Sequence, residues 1–463
     1  MEVTAKWIEW LPLAFRQRIA GRLHLTQVLT NIGWLFGDRI LRMGLGLVVG
    51  VWTARYLGSE QFGLFSYATA FVALFTALST LGIDSIVIRD LVNDPACREE
   101  TLGTAFALRA VAAFAMFSLA VGAILITRSD FLTRSAVAII AASAFFQAFD
   151  TIDYWFQSQV RSKFTVYAKN SAFLLITAVK IVLLLEKAPL IAFVSTVLAE
   201  AALGAIGLMG FYRTTGERML AWRFSFPRAK QLVASGWPLM LSGLVVMLYM
   251  RVDQVMLGQM MGDREVGVYS AAVRLSELWY FIPTAIVSSV FPSIIKAKSL
   301  SAGVYLDRME KLLSVMALLG YAVALPATFF SDEIVHLFFG NEFEGAGPSL
   351  IFLCWAGVFV AVGVAGGPWL INEGLMKFSF VVTALGAAIN IILNLFLIPH
   401  YGPVGAAIAS LLSYGVAAFG AFFLHAKTRP LGLMTLNALT LKTVFSLVAK
   451  SLCRVKQPTE TGV

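Results

Sequence analysis

Twelve charged residues of this chain lie inside long apolar runs, and their types and spacing define the chemistry open to them. The basic ones are Arg39, Arg42, Arg109, Lys180, Arg251 and Arg274; the acidic ones are Asp38, Asp150, Asp153, Glu200, Asp253 and Glu277. A charge at the centre of a bilayer costs roughly 2.5–3.5 kcal/mol, so each must face water, a cavity or an opposite charge. Asp38 and Arg42 are four apart and Arg39 and Arg42 three apart, which places all three on one side of a helix. Arg274 and Glu277 share a face in the same way. One reading of both sets is internal ion pairs that brace helix contacts. Pairing Asp38 with Arg42 leaves Arg39 without a local partner. Arg251 and Asp253, two apart, diverge, and Arg109 can snorkel to a membrane edge. Lys180 sits mid-span in SAFLLITAVKIVLLL with no acid within four residues, so it needs a partner on another helix or an anionic ligand. Arg39, Arg42, Lys180, Arg251 and Arg274 are the cations at membrane depth that need an account. Asp38, Asp150, Asp153, Asp253 and Glu277 are the acids that can balance them.

The elements that carry these charges are membrane spans. Hydrophobic residues make up 59% of 463 and charged residues 14%, which excludes a water-soluble fold. At about 20 apolar residues per crossing, twelve spans are predicted near 32–54, 62–83, 104–126, 134–157, 165–186, 188–211, 233–259, 265–292, 311–330, 347–371, 376–398 and 402–425. Short outer connections leave no room for a catalytic domain outside the membrane; the longest, 331–350, reads as a short interfacial helix. Cys97, Cys354 and Cys453 form no CxxC pair and the four histidines are scattered, so neither a metal site nor a catalytic site is expected.

The domain pattern is a duplication. GSEQFGLFSY at 58–67 returns 204 residues later as GDREVGVYSA at 262–271, matching Gly58 to Gly262 and Gly63 to Gly267. WFQSQVRSKF at 155–164 aligns with WLINEGLMKF at 369–378 at an offset of 214, and Pro189 with Pro403. Internal repeats in a polytopic chain point to a transporter, and an even number of spans per repeat makes the repeats parallel. The expected divisions are an amphipathic segment over 1–31, a six-helix bundle over 32–211, a cytoplasmic linker over 212–232, a second bundle over 233–425 and a tail from 426 with an interfacial helix over 431–450. Kinks at Pro238, Pro283, Pro292 and Gly366-Gly367-Pro368 suit hinges, or are the ordinary breaks of static membrane helices. With the amino terminus inside, cytoplasmic segments hold 25 basic residues against 5 on the other side, so both termini are expected in the cytoplasm. The net charge of +9 fits anionic lipid headgroups and needs no nucleic acid.

The run from Asn31 to Phe71 closely resembles the first two helices of bacterial polysaccharide exporters, the O-antigen and exopolysaccharide flippases (Wzx-type) of the multidrug/oligosaccharidyl-lipid/polysaccharide superfamily. The ARYLG-x-x-x-FG-x-x-x-Y pattern from Ala54 to Tyr67 is its most specific part. STLGIDSIVIRDLV (79–92) and YGPVGAAIASLLSY (401–414) extend the resemblance over about 30–425. It implies an all-α membrane protein of two six-helix bundles around a central cavity that opens alternately to each side. It further implies no enzymatic reaction, no cofactor, and transport of undecaprenyl-pyrophosphate-linked oligosaccharide across the inner membrane. A cavity lined by Arg39, Arg42, Lys180, Arg251 and Arg274 suits a diphosphate, arginine being able to contact it with two donors. Tyr154-Trp155-Phe156 and Trp279-Tyr280-Phe281 are candidates to stack on sugars, against a bland role as interfacial anchors. Net direction requires a coupled H+ or Na+, at Asp38, Asp150, Asp153 or Asp253, or removal of product by a polysaccharide polymerase working with a chain-length regulator.

Two rivals come from the same superfamily. A cation-coupled multidrug antiporter expects acids to dominate its cavity, whereas basic residues here at least match them. A peptidoglycan-precursor flippase normally has fourteen helices, two more than the twelve read here. A glycosyltransferase or ligase expects a large outer loop or an acidic cytoplasmic motif, and a channel a selectivity filter; the sequence shows neither.

Overall fold

A computed structural model describes residues 23–299 and 301–442, and its regular elements are all helical. The expected amphipathic segment lies outside the described residues up to position 22, as does the tail from 443. In chain order the helices are α1 (Leu23–Thr80), α2 (Asp84–Asn93), α3 (Arg98–Thr127), α4 (Phe131–Gln147), α5 (Thr151–Ser158), α6 (Lys163–Leu185) and α7 (Leu190–Thr214). They continue as α8 (Phe226–Met260), α9 (Asp263–Glu277), α10 (Phe281–Lys298), α11 (Ala302–Phe339), α12 (Ala346–Asn372), α13 (Met376–Ala418) and α14 (Arg429–Leu439).

Among the described residues ten helical stretches are long and apolar enough to cross a bilayer. Two of them, Gly37–Asn93 with 57 residues and Met376–Phe423 with 48, are each long enough to cross twice. At 1.5 Å per residue a straight helix of that length would measure roughly 70–85 Å, against a hydrocarbon core of about 30 Å. Each breaks at a glycine with positive φ, Gly58 at 70° and Gly402 at 54°, so the ten stretches supply the twelve crossings expected. Two other predicted spans are interrupted. The fourth is split by a tight turn at Ala148–Asp150, and the eighth between α9 and α10. The outer segment after Phe330 is helical as far as Phe339, where α11 ends.

The chain divides into two compact units whose limits differ from the sequence halves. Leu57–Ala70, the first repeat motif, groups with the residues from Val245 onward, while Phe71–Leu244 groups with the residues up to Tyr56. The change from one unit to the next in the second half therefore falls within α8. In the first unit, Ile83, Val87, Leu91, Leu102 and Tyr154 form one buried cluster with Leu232. The linker between α7 and α8 is bound onto this unit. The Arg223 amide donates to the Glu99 carbonyl (3.2 Å) and the Ser225 amide to the Thr104 hydroxyl (3.0 Å), while Arg98 pairs with Glu217 (2.8 Å). In the second unit Trp279, Met309, Met316, Trp369 and Phe422 form the largest part of the core. Leu431, Met434 and Ala438 of α14 are buried in it, so the start of the tail packs on protein.

The two copies of the repeat motif meet each other within the second unit. A Cβ on Gly63 would overlap the Asp263 carbonyl oxygen, and a Cβ on Gly267 would overlap the carbonyl oxygen of Ser59. Ser59 and Asp263 are themselves repeat partners, 204 apart, so the contact is a local two-fold crossing of like with like. Gly58 and Gly262 share the same unusual backbone (φ 70° and 97°, ψ 173° and 177°), which a side chain would strain. The other repeat is also visible in the backbone: Val160 and Gly374, 214 apart, both have positive φ.

Candidate functional site

The charged residues of the spans assemble into three groups, two in the first unit and one in the second. The first group lies on α1, α6 and α7. Arg42 Nε donates to Asp38 Oδ1 at 2.8 Å, its Nη1 meets Glu200 of α7 at 3.4 Å, and its guanidinium lies 4.9 Å over the Phe173 ring of α6. Arg42 Nη2 is buried with no hydrogen-bond partner. Arg39 is exposed on the unit's surface and makes no ion pair among the described residues. Arg42 is thus satisfied on two edges, and among the described residues one buried donor is left unmade. Lys180 of α6 is half-buried and has interactions of its own.

The second group joins α2, α3, α5, α6 and the turn before α5. Arg109 does not snorkel: its side chain is 3% exposed and lies 3.6 Å from Asp84 and 3.9 Å from Asp150, and it donates to the Tyr154 hydroxyl. Tyr154 in turn donates to Asp84 at 2.5 Å. Lys169 bridges Asp150 at 2.9 Å and Asp153 at 3.8 Å, and Asp153 also accepts from Thr165 (2.6 Å) and Gln157 (3.0 Å). Nearly every polar group here is answered by another, which is how a bracing network is built.

The third group belongs to α8, α9 and α13. Arg251 and Asp253 diverge as their two-residue spacing requires. Arg251 meets Glu277 of α9 at 3.2 Å. Glu277 is therefore engaged across helices by Arg251, and the same-face Arg274 instead lies 5.3 Å over the Phe62 ring of the first repeat motif. Asp253 is fully enclosed, and no cation lies within ion-pair distance among the described residues. It accepts from the Gln254 amide (2.8 Å), the Ser410 hydroxyl (3.1 Å) and the Tyr269 hydroxyl. Close by in sequence to Ser410, Ser413 receives a hydrogen bond from Asn390 (3.3 Å), which accepts from Asn394 (3.0 Å); the buried Asn394 Oδ1 has no donor. Three neutral donors thus answer one enclosed carboxylate.

The aromatic triplets read from sequence are largely core. Tyr154, Phe156 and Trp279 are buried, and Trp155 lies under the Arg98 guanidinium. An exposed aromatic pair is found elsewhere, Trp34 of α1 and Tyr167 of α6, with ring centroids 5.1 Å apart.

These helices and charges define a polytopic membrane protein with the fold of the multidrug/oligosaccharidyl-lipid/polysaccharide superfamily. The lipid II flippase MurJ in an inward closed conformation superposes with a TM-score of 0.68 at 17% identity, covering 91% of this chain and 93% of that one. An inward-facing multidrug transporter of the superfamily's MATE family superposes at 0.60 with 15% identity, covering 86% and 95%. The chain belongs to the polysaccharide biosynthesis protein family, which it matches over residues 28–298; residues 238–396 also match the MatE family. The probable low-salt glycan biosynthesis flippase Agl15 of Haloferax volcanii is 29% identical over 42% of this chain and 41% of its own length. The probable flippase AglR of the same organism is 29% identical over 45% and 44%. The matched stretch thus spans less than half the length of these curated relatives.

Proposed function

We propose that this protein is a flippase that moves undecaprenyl-pyrophosphate-linked oligosaccharide units from the cytoplasmic to the outer leaflet of the inner membrane by alternating access. The observation that carries the reading is the state of Arg39 and Arg42. A cation in a membrane span is normally neutralised, yet Arg39 makes no ion pair among the described residues and Arg42 keeps a buried donor unused. A diphosphate would give Arg39 the counter-charge that Arg42 already has in Asp38 and Glu200, through contacts of roughly 1.5–3 kcal/mol each. Arg251, Arg274 and Lys180 would hold the same headgroup at other stages of passage, and the polyprenyl tail would remain in lipid. The similarity to a probable low-salt glycan biosynthesis flippase supports the substrate class, and a polymerase with its chain-length regulator is the natural consumer of the product.

The test is export per molecule of membrane-resident protein. Arg39→Ala is expected to abolish glycan export with abundance unchanged, and Arg39→Lys to restore it only in part, because an ammonium lacks the planar pair of donors. Full specific activity in Arg39→Ala would remove Arg39 from the substrate site.

A coupled antiporter of small molecules is the second reading. The enclosed Asp253, which lies within the region matching the MatE family, favours ion coupling. In the flippase reading the same carboxylate serves as the H+ or Na+ site that gives transport its direction, while Asp38, Asp150, Asp153 and Glu277 balance neighbouring cations.

A further inference from the structure

Trp34 and Tyr167 pack edge to face across α1 and α6, the rings at 75° to each other, and both stay more than a third exposed. Exposed aromatics near a membrane edge usually belong to the interfacial belt. The surroundings of this pair are wrong for that role. Along α1, Trp34 is followed at steps of four by Asp38 and Arg42, two charges that cannot face hydrocarbon. On α6, Asn170 falls midway between Tyr167 and Phe173 in rise and in angle, and its buried Oδ1 has no hydrogen-bond donor. Phe173 carries Arg42 over its ring at 4.9 Å, so the two helices touch at both levels. Two exposed aromatic rings set at an angle, an unanswered acceptor and an unanswered arginine donor thus lie in sequence along one seam, among the described residues.

We propose that this seam is a sugar subsite: a pyranose ring packs on Trp34 and Tyr167, one of its hydroxyls donates to Asn170 Oδ1, and the adjoining diphosphate reaches Arg42 Nη2. The proposal rests on the flippase reading and extends it by naming where the glycan is held. Eight residues separate Trp34 from Arg42, roughly 12 Å along a helix axis, the length scale of a short saccharide. The order also suits the substrate. With the amino terminus cytoplasmic, Trp34 lies nearer the cytoplasm and Arg42 deeper, as a lipid whose tail enters the bilayer and whose sugars leave it requires. Pyranose faces carry C–H groups that pack on aromatic rings, and the bound hydroxyl removes the cost of an orphaned buried carbonyl.

The experiment compares binding of a short-chain polyprenyl pyrophosphate, bare and carrying one or two pyranose sugars, to the purified full chain in lipid nanodiscs. In the unsubstituted protein the sugars are expected to tighten binding by about tenfold, the equivalent of one stacking contact and one hydrogen bond together. Trp34→Leu and Asn170→Leu should each cut the ratio of the two affinities to about threefold and the double variant should bring it close to one, whatever they do to either affinity alone, and Trp34→Phe should keep most of it. A ratio unchanged in Trp34→Leu and Asn170→Leu overturns the subsite, and so does a ratio of one in the unsubstituted protein that binds the bare lipid. If that protein binds neither lipid, the flippase reading fails first. An interfacial anchor would instead lower thermal stability without moving the ratio.

Discussion

A carboxylate enclosed without a cation is a costly thing to keep, and Asp253 is held by three uncharged donors only. Asp253→Asn keeps one carbonyl oxygen for those donors and removes the charge. Glycan flipping driven by an imposed H+ or Na+ gradient is then expected to fall by about tenfold or more, the loss of one charge-assisted contact, while exchange without a gradient continues. Gradient-driven flipping at the unsubstituted rate would exclude Asp253 from coupling. The spacing of residues revealed which charges share a helix face, as it did for Asp38 and Arg42, because 3.6 residues per turn is a local rule. It could not reveal which helix lies opposite. Glu277 therefore read as the mate of Arg274, although Arg251, 26 positions away, is the one that reaches it. Arg109 read as a residue free to snorkel, because the acids that enclose it come from α2 and from the turn before α5. Trp34 and Tyr167 were missed for the same reason: each looks like an ordinary interfacial aromatic until α1 and α6 are brought together.

At the scale of elements, the two-fold crossing of the repeat motifs turns a sequence echo into a packing constraint. Gly63 and Gly267 let the first turns of two helices approach backbone to backbone, which no other residue permits. Gly63→Ala and Gly267→Ala should each destabilise the purified protein by about 1–3 kcal/mol or more, the cost of overpacking by one methyl group, read as a lower melting temperature. Gly46→Ala on α1 is the matched control, since a Cβ there meets nothing within 4 Å, and helix propensity alone would stabilise it by roughly 0.5–1 kcal/mol. Equal stability in all three variants would mean that the crossing is not tightly held. The sequence made the repeats visible through shared glycines and aromatics. What it hid was that the copies touch, and that the first copy groups with residues from Val245 onward. Contacts between distant segments leave no local period to read.

For the molecule as a whole, the alternation of turns carries the topology. Turns expected outside meet one another: Gly58 lies against Glu342, and Gly402 against Met261. Turns expected inside do likewise, with Gly103 on Arg223, Arg98 on Glu217 and Lys298 on Glu373 at 2.6 Å. Such sorting is what an unbroken series of crossings produces, and the breaks at Gly58 and Gly402 keep the series even. The basic residues then orient it, 25 expected on the cytoplasmic side against 5 opposite. Reporter fusions after residues 60, 187 and 264 are accordingly expected to read as periplasmic, and fusions after 225 and 430 as cytoplasmic. The fusion at 60 is the most exacting of these. If α1 crossed only once, without a return at Gly58, every later segment would be inverted, and the fusions at 225 and 430 would read as periplasmic. A cytoplasmic reading at 430 together with a periplasmic one at 60 requires an odd number of crossings between them, which the eleven remaining spans satisfy.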